Sequence, residues 1–175
     1  YTADATKGVW EYQVGGAGAW VTLGSASTTA AVTLNAADLL RFVPTANYNG
    51  GATSLSANLV ETGLTLTSGS SINLTGATGG STRISSATVT LSETVTAVND
   101  APVASGAATL SAVNEDTASP TGATVSSLFG GAGNFSDTKD AVTGGSSADT
   151  FVGIAVSSYT ADATKGVWEY QVGGA

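Results

Sequence analysis

The seventeen residues YTADATKGVWEYQVGGA stand at Tyr1–Ala17 and again, unchanged, at Tyr159–Ala175. The second copy is displaced by 159 − 1 = 158 residues, so the chain reads as one period of a tandem array plus a short overlap. A period of that size can bury a core of its own. A β-solenoid, the main alternative for a chain rich in Gly and Thr, would need a short internal period of roughly 20 to 30 residues. The only period present is 158. Exact identity adds to this: folding needs only the buried pattern, which leaves exposed positions free to drift. Thr2, Lys7 and Gln13 are nonetheless matched by Thr160, Lys165 and Gln171, which suggests either recent duplication in a long array or a chain whose ends fall at equivalent points of a periodic filament.

Within the period, short runs alternate apolar and polar residues between Gly, Ser, Asn and Thr turns, the signature of half-buried β-strands. In ATVTLSETVTAV, Val89, Leu91 and Val95 fall on one face and Thr88, Thr90, Ser92, Thr94 and Thr96 on the other. In GVWEYQV, Trp10, Tyr12 and Val14 alternate with Val9, Glu11 and Gln13, and the GGAG that follows leads into AWVTLG, which predicts a hairpin. Leu55, Ala57 and Leu59 continue the pattern in SLSANLVETG, as do Phe151, Ile154 and Val156 in TFVGIAVSSY. Only NAADLL, Asn35–Leu40, suggests a helical turn, with Asn35 as its cap. The expected fold is all-β, an antiparallel β-sandwich of the immunoglobulin or cadherin-like kind.

A domain boundary is expected at AVNDAPVAS, Ala97–Ser105, where a Thr-rich strand ends and Pro102 interrupts the ladder. Residues 1–98 then form the C-terminal part of one repeat, 99–102 the junction, and 103–175 the N-terminal part of the next. The chain has no Met and is expected to begin inside a longer polypeptide.

Composition narrows the chemistry. There is no Cys and no His, which removes disulfides, thiolate and imidazole metal sites and Ser-His-Asp catalysis together. The excess of 13 acidic over 5 basic residues, net charge −8, offers no basic stripe for nucleic acid. No membrane-length apolar run is present. An enzyme is not expected. Asp137 and Asp140, three residues apart in a turn-like segment, read as a metal loop or solvated surface rather than the carboxylate pair of a hydrolase.

The junction AVNDAPVAS, together with AVNEDT (Ala112–Thr117), LRFVPTANYNG (Leu40–Gly50) and FSDTKD (Phe135–Asp140), resembles the tandem cadherin-like or immunoglobulin-like repeats of giant bacterial surface adhesins and extracellular matrix or filament proteins. The resemblance implies an exported, extracellular or cell-surface protein, often with Ca²⁺ at the joints between domains. It places Asn99 and Asp100 of the linker and Glu115 of the following domain around that ion, with Asp116 beside them. The sequence departs from the family pattern at Ala97, where a fuller linker carries another acid, and has no Asp-x-Asp triplet.

Ca²⁺ takes about six to eight oxygen ligands, and in a chain with few acids their placement is informative. The candidate ligands are Asn99, Asp100, Glu115, Asp116, Asp137 and Asp140. Read from the residues alone, these positions serve equally as ordinary turn residues in solvent. Tyr48 in the NYNG stretch is expected to plug a corner and return its hydroxyl to the backbone. Trp10, Tyr12 and Trp20 read as core or cross-strand pairs ahead of a sugar-binding platform.

The functional expectation is a structural repeat, the shaft of an adhesin or an extracellular filament, whose partners are neighbouring identical repeats and other copies of the chain. The alternative is a module that binds carbohydrate or a host surface. Eleven acidic and four basic residues per period oppose close packing of copies, and divalent cations relieve that repulsion.

Overall fold

In the computed structural model, which describes residues 1–173, the segment Gly8–Gln13 forms strand β1, in which alternate residues, Gly8, Trp10 and Tyr12, are buried. Residues 174 and 175, the last two of the repeated seventeen, lie outside the described residues. After a 3-10 turn at Val14–Gly16 the chain returns as β2, Val21–Thr22, pairing Glu11 with Thr22 and Tyr12 with Val21. This is the hairpin that the alternation predicts. On its other edge β1 pairs antiparallel along its whole length with β4, Leu39–Pro44, from Gly8 opposite Pro44 to Gln13 opposite Leu39.

Four more antiparallel pairs complete the regular structure. Strand β3, Ala31–Val32, pairs with β7, Ser71–Ile72, and β5, Gly50–Gly51, pairs with β9, Thr94–Val95. The long pair joins β6, Leu55–Val60, to β8, Ile84–Leu91. The last joins β10, Val103–Ala104, to β11, Phe135–Ser136. The one α-helix among the described residues, α1 at Val125–Phe129, is a single turn that Thr124 caps by accepting the Ser127 N–H at 3.1 Å. The fold is all-β, built from small antiparallel sheets. No helix of the described residues is long and apolar enough to cross a membrane.

The chain divides into two compact units. Unit 1 comprises Tyr1–Pro102 and Asp137–Asp149, and unit 2 comprises Val103–Ser136 and Thr150–Ala175. Unit 1 holds the core: Trp10, Tyr12, Leu23, Ala52 and Leu55, with Tyr1, Val32, Leu34, Leu40 and Phe42 packed against them. Trp10 is its centre, 2% exposed, edge-on to its cross-strand partner Phe42 at 5.4 Å between ring centroids. Its indole N–H donates to the Thr53 carbonyl at 2.7 Å, so the ring is buried without an unmet donor. Gly8 opens this strand at φ 143°, where an added Cβ would overlap the Val43 carbonyl and the Phe42 ring. No described residue of unit 2 is buried; Phe135 and Phe151 meet there edge-on at 5.6 Å.

Several expectations are corrected. Asn35–Leu40 is not helical: Asp38 N–H reaches the Asn35 carbonyl at 3.0 Å in a tight turn, and Leu39 and Leu40 already belong to β4. Asn35 does not cap a helix; the Asp38 carboxylate instead accepts the Asn35 and Gly15 N–H groups and the Ser68 hydroxyl. These bonds, Ser68 first and Gly15 next, hold Asp38 below the ordinary 3.8.

The apolar face assigned to Val89 and Leu91 is 55% and 43% exposed; Leu59 is 59% exposed, where a bulge between Asn58 and Val60 breaks the register of β6. The TFVGIAVSSY segment forms no strand: Val152 and Val156 stand exposed, since alternation makes a strand only where another strand's edge is offered. Tyr48 does return its hydroxyl to the backbone, donating to the Gly51 carbonyl. Trp10 and Tyr12 are core residues, and Trp20 carries the Arg41 guanidinium 3.9 Å from its ring centre, so these three rings make no open platform for a sugar.

Candidate metal centre

The segment Asp137–Asp149 belongs to unit 1, and its fold follows from the Gly-Gly pair near its middle. Gly145 N–H donates to the Val142 carbonyl at 2.9 Å and Val142 N–H to the Ser146 carbonyl at 3.0 Å, closing a tight loop. Asn49, 7% exposed, clamps that loop from the other side. Its amide donates to the Ser146 hydroxyl at 2.8 Å and its carbonyl oxygen accepts the Ser146 N–H at 2.6 Å. A Cβ on Gly145 would overlap the Asn49 side chain, so only glycine permits the approach. The Ser146 hydroxyl in turn donates to the Asp140 carbonyl, tying the loop back to its own start.

This clamp gathers three carboxylates. Asp137, Asp140 and Asp149 each offer an oxygen, all within 4.8 Å of one another. Asp137 and Asp140 are buried, at 6% and 7% exposure, and Asp149 is exposed. The Asp140 carboxylate accepts the Asp100 N–H at 3.1 and 3.2 Å to its two oxygens. Asp137 Oδ2 accepts the Asp149 N–H, but Asp137 Oδ1 is buried and has no hydrogen-bond partner.

Two features of this arrangement point to a cation. A buried carboxylate oxygen without a partner forfeits its hydration with nothing in return, which is why nearly all such atoms in folded proteins are paired. Like charges also crowd here: at about 5 Å and an effective dielectric of about 20, each pair repels by ~3 kcal/mol before salt screening. None of the ion pairs among the described residues involves any of the three; those present join Arg41 to Glu11, Arg83 to Glu61 and Lys165 to Asp162. A metal ion offsets both costs. The three aspartates are a group that could hold one.

Of the six residues singled out from the sequence, Asp137 and Asp140 lie in the cluster. Asp100 touches it through its backbone N–H, while its own carboxylate is not one of the three. Asn99 is exposed, with its side-chain amide on the Asp100 carbonyl at 3.2 Å. Glu115 and Asp116 belong to unit 2 and form an exposed turn closed by Thr117, with Asp116 in the left-handed region at φ 63°. Asp149 is the member of the cluster that sequence reasoning missed. Its only signal is position: it closes the Gly- and Ser-rich segment that Asp140 opens.

Compared with protein-family models, curated proteins and solved structures, the chain matches none.

Proposed function

We propose that this chain is a structural repeat of an exported, cell-surface or extracellular protein, an element of an extended shaft or filament stiffened by Ca²⁺. The observation that carries the reading is the carboxylate cluster itself: the Asn49 clamp gathers Asp137, Asp140 and Asp149 around a buried oxygen that has no hydrogen-bond partner. Asp140 also holds the Asp100 N–H, so one cation bound there would tie the Asp137–Asp149 segment to the backbone at Asp100 within unit 1.

The chemistry favours Ca²⁺. All donors are oxygens, and a chain without His or Cys offers nothing to a metal that seeks nitrogen or sulfur. Oxygens that share a Ca²⁺ at about 2.4 Å each stand no more than ~4.8 Å apart, and the three aspartate oxygens lie within that limit of one another. Backbone carbonyls and water complete a shell of this kind. A sandwich of the cadherin-like class is supported by a single core that draws Trp10 and Tyr12 from one sheet and Leu55 from another, and by the Tyr48 corner. The exact repeat supports the array.

The test is small-angle scattering on a polypeptide of several tandem periods, with Ca²⁺ and with EGTA. The proposal expects the longest dimension to grow in proportion to the number of periods when Ca²⁺ is present, and to shorten on chelation. A particle whose dimensions ignore Ca²⁺ contradicts the stiffened joint, and one that stays globular as periods are added contradicts the shaft.

A further inference from the structure

Unit 1 carries a cleft that the metal reading does not use. Its volume is about 620 Å³, within the range of small-molecule sites, and its walls are the turn at residues 4–7, the turn at residues 45–48 and residues 138–143 of the Asp137–Asp149 loop. The walls are tied to one another. The Lys7 N–H donates to the Asp4 carbonyl at 3.1 Å, and the Lys7 carbonyl accepts the Thr45 N–H at 3.0 Å. The Thr45 hydroxyl adds a bond to the Ala5 carbonyl at 2.8 Å. Tyr48 N–H closes the second turn on the Thr45 carbonyl at 3.0 Å, through Asn47 at φ 62°. Asn49, the next residue, clamps the third wall through Ser146. The cleft is thus shaped by the fold, which spares a ligand the cost of ordering it.

Charge sets this cleft apart from the rest of the surface. The chain has 13 acidic and 5 basic residues, yet two of the five, Lys7 and Lys139, line the cleft and no acidic residue does. The other three are committed: Arg41 to Glu11, Arg83 to Glu61 and Lys165 to Asp162. Neither Lys7 nor Lys139 takes part in an ion pair among the described residues. Local sequence does not dictate this. Residues 162–165 repeat the Asp-to-Thr hydrogen bonds of residues 4–7, and there the lysine closes on its aspartate at 3.1 Å, which Lys7 does not do. The two basic groups without a carboxylate partner therefore stand at one cleft.

We infer that this cleft binds a short acidic saccharide, a disaccharide of uronic acid whose two carboxylates take the two lysine ammoniums. The remaining lining suits the sugar. The hydroxyls of Thr6 and Thr143 and the amide of Asn47 both donate and accept, as sugar hydroxyls require. Tyr48, its own hydroxyl committed to the Gly51 carbonyl, contributes its ring. A lysine ammonium is a compact charge on a flexible stem and takes a carboxylate without demanding a fixed fork geometry. The net charge of −8 selects a short ligand, because the further carboxylates of a long polyanion would meet acidic surface.

The experiment titrates digalacturonate into the ¹⁵N-labelled 175-residue chain at low salt, beside the neutral disaccharide of galactose and beside glutarate, which has two carboxylates and no hydroxyls. EGTA is present throughout, so that no Ca²⁺ bridges a sugar carboxylate to the aspartates and the result stands apart from the metal reading. The inference expects saturable amide shifts for digalacturonate confined to residues 6–7, 46–48 and 138–143, and binding at least about tenfold weaker for the neutral sugar, for glutarate, and for digalacturonate with Lys7→Gln or Lys139→Gln. Arg83→Gln, which removes a cation outside the cleft, should bind as wild type does. Lys139 is exposed, so its variant reads the site even where Lys7→Gln perturbs the turn. Absence of saturable binding overturns the inference, as do shifts centred elsewhere, full affinity in Lys139→Gln, or equal binding of glutarate, which would mean ion pairing without recognition of a sugar.

Discussion

Trp10 and Trp168 are the same residue in the same local sequence, and replacing each by Ala separates tertiary from local contributions to stability. Trp10→Ala removes a ring that is 2% exposed, its edge contact with Phe42, and the donor to the Thr53 carbonyl. Core Phe and Trp truncations cost about 3–5 kcal/mol. The orphaned Thr53 carbonyl places this one toward the upper end. Trp168, 72% exposed, has little to lose, and its replacement should stay within about 0.5 kcal/mol. Urea unfolding at a protein concentration low enough to keep the chain monomeric reads the difference. With a slope of about 2 kcal/mol/M, Trp10→Ala moves the midpoint down by about 2 M and Trp168→Ala leaves it in place. Tryptophan fluorescence adds a second reading, since wild type should show one buried and one solvent-exposed emitter among its three Trp residues. Equal midpoint shifts in the two variants would refute the burial of Trp10 and the exposure of Trp168.

Three further outcomes follow from the structure. Asp137→Asn removes a buried charge with an unpaired oxygen: without Ca²⁺ the variant should unfold at higher urea than wild type, by roughly 1 kcal/mol after screening at exposed Asp149, and with Ca²⁺ the order should reverse. Gly145→Ala drives a Cβ into Asn49; a loss of ~1–3 kcal/mol in wild-type background, together with weaker Ca²⁺ binding, is expected from unfolding curves and calorimetry, and an unchanged affinity would show that the clamp does not shape the cluster. Asp38 is held below 3.8 in the folded state, so its contribution is full well above that pH and is lost as pH falls past 3.8 and through the lower folded value; Asp38→Asn should lack this acid-side decline, measured as urea midpoints against pH.

How much of this was legible in the sequence depended on whether the controlling interaction was local. The β1–β2 hairpin could be read because alternation and a Gly-rich turn sit side by side, and the Tyr48 corner could be read because its acceptor is three residues away. Asn35–Leu40 misled because an Asp near Asn fits a helix start as well as a turn, and the choice was made by distant partners, Gly15 and Ser68. Val89 and Leu91 alternate as a buried face should, yet nothing in one strand tells whether a second layer covers it. The metal cluster was half legible. Asp137 and Asp140 stood out as close acids in a turn, but Asp149 joins them only through a loop that Asn49, far away in sequence, clamps in place. The repeated segment makes the same point from within one chain: identical residues give an identical turn at Asp4 and Asp162, and a strand only where β2 and β4 stand ready.

The measurement that bears most directly on the calcium-stiffened repeat is calorimetric titration of Ca²⁺ into the 175-residue chain, beside the same titration of Asp137→Asn and Asp140→Asn. The account predicts saturable binding at one site, lost or weakened at least tenfold in either variant, and thermal stabilisation that grows with free Ca²⁺, by about 2.7 kcal/mol at a hundred times Kd. Heats of dilution alone, or binding that both variants retain in full, would contradict it.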